Sequence, residues 1–168
     1  TVMLYNLGHA DEELRRAACR ASNTMNADLF RAHADRMTPV AAIPTYTPGE
    51  AIEELDYAVN TLGLKAAYIA SYVRRSVSAA ADGGTDGGAA EHAGWIDPLA
   101  LDSEHDYDPL WAKFQDLGVA VASHSISIGM GTRRSISNFN FNHIGSFATS
   151  AETFCKALFL GGVTRRFP

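Results

Sequence analysis

The chain has 168 residues, 46% of them hydrophobic and 20% charged, with a net charge of −5. That balance suits a globular protein, with one domain over 1–168 as the simplest reading, and it excludes the basic field a nucleic-acid partner needs: the Arg pairs 15–16, 74–75, 133–134 and 165–166 are scattered. No apolar run approaches the ~20 residues of a membrane span, no leader pattern opens the chain, and Cys19 and Cys155 read as reduced core thiols in separate helices, so a cytoplasmic location is expected.

Residues 2–5 (Val-Met-Leu-Tyr) read as a short buried strand. Asp11 then caps a long helix reaching about Ala34, in which Leu14, Ala18, Ala21, Met25 and Leu29 recur at helical spacing. Its polar face carries Glu12, Glu13, Arg15, Arg16 and Arg20, whose i,i+3 and i,i+4 pairs help the helix by ~0.2–0.5 kcal/mol each. Residues 39–43 make a second strand, closed by Pro44. Thr47-Pro48-Gly49-Glu50 is a capping box with proline at the first helical position, and Ile52, Leu55, Val59 and Leu62 form the stripe that follows. Gly63 stops this helix, and residues 64–70 form the third strand.

Between 71 and 106 the pattern breaks. Residues 79–94 are rich in Ala and Gly and have little to bury, which predicts a flexible loop at about 76–94, either a lid or a tolerated insertion. Asp108 and Pro109 then open a helix whose apolar face is Leu110, Phe114 and Leu117. Gly118 ends it, and the apolar run 119–122 is a strand that places His124 at its C-terminal end, where α/β folds put their chemistry. Leu62-Gly63-Leu64 and Leu117-Gly118-Val119 are the same helix-to-strand junction. The fold class is therefore α/β, with about four parallel strands joined by right-handed crossovers. Residues 125–146 are rich in Ser, Asn and Gly, and a last helix is expected from about Phe147 to Leu160, with Phe147, Ala151, Phe154 and Leu158 on one face. Gly161-Gly162 stops it, and residues 163–168 lead toward a further strand. Both ends read as cut from a longer chain.

Several side chains carry possible chemistry. His124 is either a ligand or a strand-end imidazole satisfied by backbone. His143 lies just before the last predicted helix and either lines a pocket or a subunit contact or serves a capping or surface role; His9 follows the first strand and either faces the same cavity or is an exposed turn residue. Arg74-Arg75 and Arg133-Arg134 each follow a predicted strand on one rim, where guanidinium groups can grip a carboxylate in bidentate fashion or remain solvated. Tyr72 beside the first pair either meets substrate or packs on the rim. Gly129-Met130-Gly131 is an incomplete dinucleotide loop. Asp102, Glu104, Asp106 and Asp108 alternate like a calcium loop but lack its central glycine and terminal glutamate, and helix-entry capping explains them better.

Three stretches in order resemble the amidohydrolase-related family, the branch that includes aminocarboxymuconate semialdehyde decarboxylase-like enzymes. They are Cys19-Arg-Ala-Ser-Asn23 with residues 34–44, Asp106-Tyr-Asp-Pro109-Leu-Trp111 with Leu117-Gly118-Val119 and His124, and Gly161-Gly162-Val163-Thr-Arg-Arg166-Phe167-Pro168. The resemblance implies a partial (β/α)8 TIM-type barrel, since the whole barrel takes roughly 250 residues, and this chain would supply its second to fifth strands. It makes His124 the metal ligand on the fifth strand, for a divalent ion that is zinc in the first instance and manganese or iron in the second. It also implies a His-x-His pair and a late-strand Asp, neither of which the six histidines and their surroundings provide. The implied activity is hydrolysis or non-oxidative decarboxylation of a small, carboxylated substrate, with Arg74, Tyr72, His143 and Arg133 as substrate-binding candidates. A homo-oligomer is compatible with it. The isolated fragment, with open sheet edges, is expected to be inactive. The alternative is a non-catalytic or degenerate α/β module, nucleotide-binding through Gly129 and Gly131.

Overall fold

The computed structural model describes residues 7–76, 94–125 and 135–168. In chain order these form α1 (Glu12–Phe30) with a 3₁₀ turn at Arg31–His33, β1 (Val40–Ala42), and α2 (Pro48–Asp56), which runs on as a π-turn over Tyr57–Thr61. Next come β2 (Ala66–Ala70), β3 (Val73–Ser76), β4 (Gly94–Asp97), α3 (Asp108–Leu117), β5 (Ala120–His124), α4 (Phe139–Leu160) and α5 (Val163–Arg166). The expected first strand at 2–5, the body of the loop at 76–94, Gly129, Gly131 and Arg133 lie outside the described residues.

The sheet is parallel in the order β1-β2-β5, with Ala42 opposite Tyr68 and Ala70 opposite His124. Side chains alternate across it. Ala41, Ile43, Ala67, Ile69 and Val121 face the main core with Leu55 of α2 and Leu110 and Phe114 of α3. Leu55, Ile69 and Leu110 are fully buried, each contributing ~1.5–3 kcal/mol by leaving water. Ala42, Tyr68 and Ala70 face the other way, toward Leu7 and Cys19.

Local chemistry explains the boundaries. Asp11 Oδ1 accepts from the N–H of Leu14 at 2.8 Å, and both halves of the Thr47–Glu50 capping box are formed. Gly118 has φ +62°, its N–H donates to Gln115 O, and the N–H of Val119 donates to Phe114 O. This is a Schellman ending, which uses the left-handed conformation glycine adopts without strain. Asp108 is not the cap expected: it is the first residue of α3, after Tyr107, and its carboxylate pairs with Arg166 at 2.7 Å.

Other expectations are corrected, a buried Cys155 among them: it is exposed. The buried residues of α1 are Arg15, Cys19 and Asn23, while Leu14, Met25 and Leu29 are exposed. Polar side chains go inside because each finds a partner. Asn23 accepts from the N–H of Ala42 at 2.7 Å and donates to its carbonyl at 2.9 Å, completing the edge of β1 as a neighbouring strand would.

The last helix begins at Phe139, eight residues early, because Asn138 caps it by accepting from the N–H of Phe141 at 2.9 Å. His143 therefore lies within the helix. Its buried face is Gly145, Ser146, Ser150, Phe154 and Ala157, rotated from the predicted one. Residues 163–166 make a short helix entered through Gly162 at φ +75°. Residues 73–76 and 94–97 pair as an antiparallel ribbon where irregular chain was expected. Among the described residues, no helix is long and apolar enough to cross a membrane.

Candidate functional site at the strand ends

The C-terminal edge of the parallel sheet holds His124, the last residue of β5. Its carbonyl accepts from the N–H of Ser71 at 3.0 Å, tying it to the exit of β2. Its ring Nδ1 lies 2.8 Å from the carbonyl oxygen of Ser125. A carbonyl only accepts, so Nδ1 donates, and Nε2 is the ring nitrogen left for a ligand. The ring stands edge-on to Phe147 at 5.1 Å. Phe147 also meets the ring of His143 at 4.7 Å, and His143 stacks on Phe139 at 5.4 Å. Two of the three histidines named from sequence, His124 and His143, thus meet one phenylalanine of α4. His9 sits instead at the entry to α1, exposed, with its carbonyl accepting from Arg15 at 2.6 Å.

The two arginines after β2 are separated by the ribbon. Arg74, on β3 opposite Ile96, is exposed. Arg75 is 4% exposed and Asp97 is fully buried; Nε and Nη2 of Arg75 donate to Asp97 Oδ2 at 2.9 and 2.8 Å. Its Nη1 donates to the carbonyl of Tyr46 at 2.6 Å, and Nη2 also donates to the hydroxyl of Tyr107 at 3.0 Å. Burial works against the charge of Arg75, but the hydrogen bond to Asp97 and the nearby Tyr107 and Asp97 outweigh it, so its pKa is raised. Tyr72 is buried at 2% exposure.

A second buried cluster was not legible in the sequence. Arg15 of α1 donates to Glu50 of α2 through Nε at 3.2 and 3.1 Å and through Nη2 at 2.7 Å. Both guanidinium groups stand over the ring of Tyr46, Arg15 at 4.3 Å and Arg75 at 5.0 Å from its centroid. Arg15 was read as a solvated face residue because its partner is 35 positions away. The only local signal was Glu50 in the capping box, which usually marks a solvated helix end.

On the face of β2 shared with Ala70, Tyr68 and Cys19 are held neutral. Burial, with the charges of Glu54 and Glu50, pushes the Cys19 thiol up to about 12 from 9.0; burial and then Cys19 push Tyr68 up to about 12 from 10.0. Neither serves as a nucleophile or base near neutral pH. Both folded pKa values lie above the ordinary ones, so this contribution to stability is full below pH 9 and is lost as the pH rises toward 12. Urea unfolding midpoints should fall over that range. Cys19→Ala with Tyr68→Phe should flatten the slope, and an unaltered slope would show that the two groups are hydrated.

Among the described residues no group of three His, Cys, Asp or Glu side chains is arranged to hold a metal ion. The chemistry of His124 fits one ligand of such a set: its backbone-tethered Nδ1–H leaves Nε2 free, as in metal-binding histidines generally.

The family model described as Amidohydrolase matches residues 2–168. No curated protein sequence matches the chain. A solved 2,6-dihydroxybenzoate decarboxylase from Rhizobium aligns at a TM-score of 0.68 with 20% identity, over 98% of this chain and 46% of that one. Another structure of 2,6-dihydroxybenzoate decarboxylase, in complex with 2,6-dihydroxybenzoate, gives 0.66 and 20% over the same shares. A dihydroxybenzoic acid decarboxylase from a Polaromonas species, with bound manganese and the inhibitor 2-nitroresorcinol, gives 0.67 and 20%, over 98% of this chain and 45% of that one. The fold is thus a partial (β/α)8 barrel, and the chain spans less than half the length of these structures.

Proposed function

We propose, from the premise that this chain belongs to the amidohydrolase family, that it forms part of a metal-dependent enzyme removing the carboxylate of a small substrate without an oxidant. The observation that carries the reading is the 2.8 Å contact of His124 Nδ1 with the carbonyl oxygen of Ser125, in which Nδ1–H donates and Nε2 is left available at the strand ends. His124 would hold a divalent ion, which when bound supplies positive charge to a substrate oxygen. Zinc and manganese both accept imidazole, and manganese accompanies one of the similar structures. Phe147 shields one side of the His124 ring from water. Arg74 offers an exposed guanidinium for the substrate carboxylate, and Tyr72, His143 and Arg133 are the further candidates for substrate contact. Decarboxylation is preferred to hydrolysis because the similar structures include enzymes named for decarboxylating dihydroxybenzoates, one of them in complex with 2,6-dihydroxybenzoate.

The test uses the full-length protein. With 2,6-dihydroxybenzoate, it should release carbon dioxide in an amount equal to the decarboxylated phenol formed. Chelation should stop the reaction and added Mn²⁺ or Zn²⁺ should restore it. Metal-independent turnover, or hydrolysis of an amide or lactone panel with no carbon dioxide released, would overturn the reading.

A further inference from the structure

Two adjacent arginines on one strand differ in burial, Arg74 exposed and Arg75 buried, and the difference has a geometric consequence. All three nitrogens of Arg75 are engaged, by Asp97, Tyr46 and Tyr107. Asp97 is itself held from three further sides: Oδ1 accepts from the N–H of Leu99 at 2.9 Å, Oδ2 accepts from Ser103 at 2.7 Å, and the residue anchors the end of β4 opposite Val73. The hydroxyl of Tyr107 donates to the carbonyl of Thr45 at 2.7 Å. Thr45 and Tyr46 are the residues leaving β1. The ion pair therefore fastens the β3–β4 ribbon to the exit of β1, while Ser71, two residues before the ribbon, is fastened to His124.

Arg74 inherits this placement. The hydroxyl of Tyr46 donates to its carbonyl at 3.1 Å. Its side chain lies across Gly94: a Cβ there would stand 3.0 Å from Arg74 Nε and 2.8 Å from the Arg75 carbonyl. A buried ion pair contributes little net stability beside a well-packed apolar replacement. What it supplies here is one fixed position for the ribbon.

We infer that Arg75 and Asp97 are positioning residues of the strand-end site, holding Arg74 where it meets a substrate carboxylate. The inference rests on the proposal above that the substrate is carboxylated. It divides the Arg74-Arg75 pair into one binding group and one fastening group, with Tyr46 and Tyr107 as the points of attachment.

The test is made on the full-length, manganese-loaded protein. Readouts are turnover of 2,6-dihydroxybenzoate, benzoate affinity by calorimetry, and hydrogen exchange of peptides covering 73–76 and 94–97. Arg75→Met alone strands a buried carboxylate, so Arg75→Met/Asp97→Leu and the milder Tyr107→Phe are used. The double variant should raise KM and the benzoate Kd about tenfold, leave kcat within about threefold, and speed exchange in the ribbon. Arg74→Ala should weaken affinity to a similar degree without speeding ribbon exchange. Adding Arg74→Ala to the double variant should cost little more, because both act through one contact. Fully additive losses, or unchanged KM and Kd despite faster ribbon exchange, would overturn the inference. If the wild type binds benzoate but does not decarboxylate 2,6-dihydroxybenzoate, the proposed reaction fails and the Kd series still decides the positioning role. A wild type that binds no benzoate overturns the positioning role directly.

Discussion

Replacing Arg15 with methionine is expected to lower the unfolding free energy by about 3–5 kcal/mol. The side chains of Arg15 and Glu50 are only 2% and 1% exposed, and their 2.7 Å ion pair joins α1 to α2. Removing the guanidinium leaves a buried carboxylate whose remaining donors are the backbone N–H groups of Tyr46 and Thr47. Tyr46 also loses one of the two guanidinium groups standing over its ring. The same change at Arg16 is the control. Its partner Glu53 is 60% exposed and Arg16 itself 40%, so solvent screens the pair and the loss should stay within ~1 kcal/mol. Urea midpoints of the two variants measure the contrast. Equal, small losses would show that Glu50 is hydrated after all.

The second large effect is at His124. In the full-length protein, His124→Ala should remove most of the bound divalent metal and lower kcat/KM on the order of a thousandfold or more, the several kcal/mol that charge stabilisation by an ion supplies. The fold should persist, because the backbone bond from Ser71 to the carbonyl of residue 124 does not need the ring. Metal content by mass spectrometry and an unchanged thermal transition of the metal-free protein separate a lost ligand from a lost fold. Full metal occupancy in the variant would remove His124 from the site. Phe147→Ala should be milder, since the carbonyl of Ser125 still orients the imidazole.

Much of the fold was legible because its signals are local. The Thr47–Glu50 capping box starts α2 as expected, and Gly63 and Gly118 adopt the positive φ that their junctions require. The parallel strands β1, β2 and β5 fall within the predicted apolar runs, apart from the extension of β5 through Ser123 and His124. The ribbon of β3 and β4 was missed because its two strands are separated by an Ala/Gly-rich stretch, and its pairing depends on Arg75 reaching an aspartate 22 positions away. The early start of α4 was missed for a different reason. Asn142 and Gly145 have turn propensities, which burial of Gly145 and Ser146 overrides.

The sequence by itself determined the order of the parallel strands β1, β2 and β5 and of the helices between them, the glycine stops, and the delivery of one histidine to a strand end. Each depends on backbone conformation and apolar spacing within a few residues. Only the tertiary structure decided which polar side chains are inside. Arg15, Asn23, Arg75 and Asp97 have no apolar signature, and they are buried because distant partners compensate the loss of water. The same long-range pairing gives Arg74 and Arg75 different surroundings, and tertiary packing brings Phe147, one helical turn after His143, onto the ring of His124.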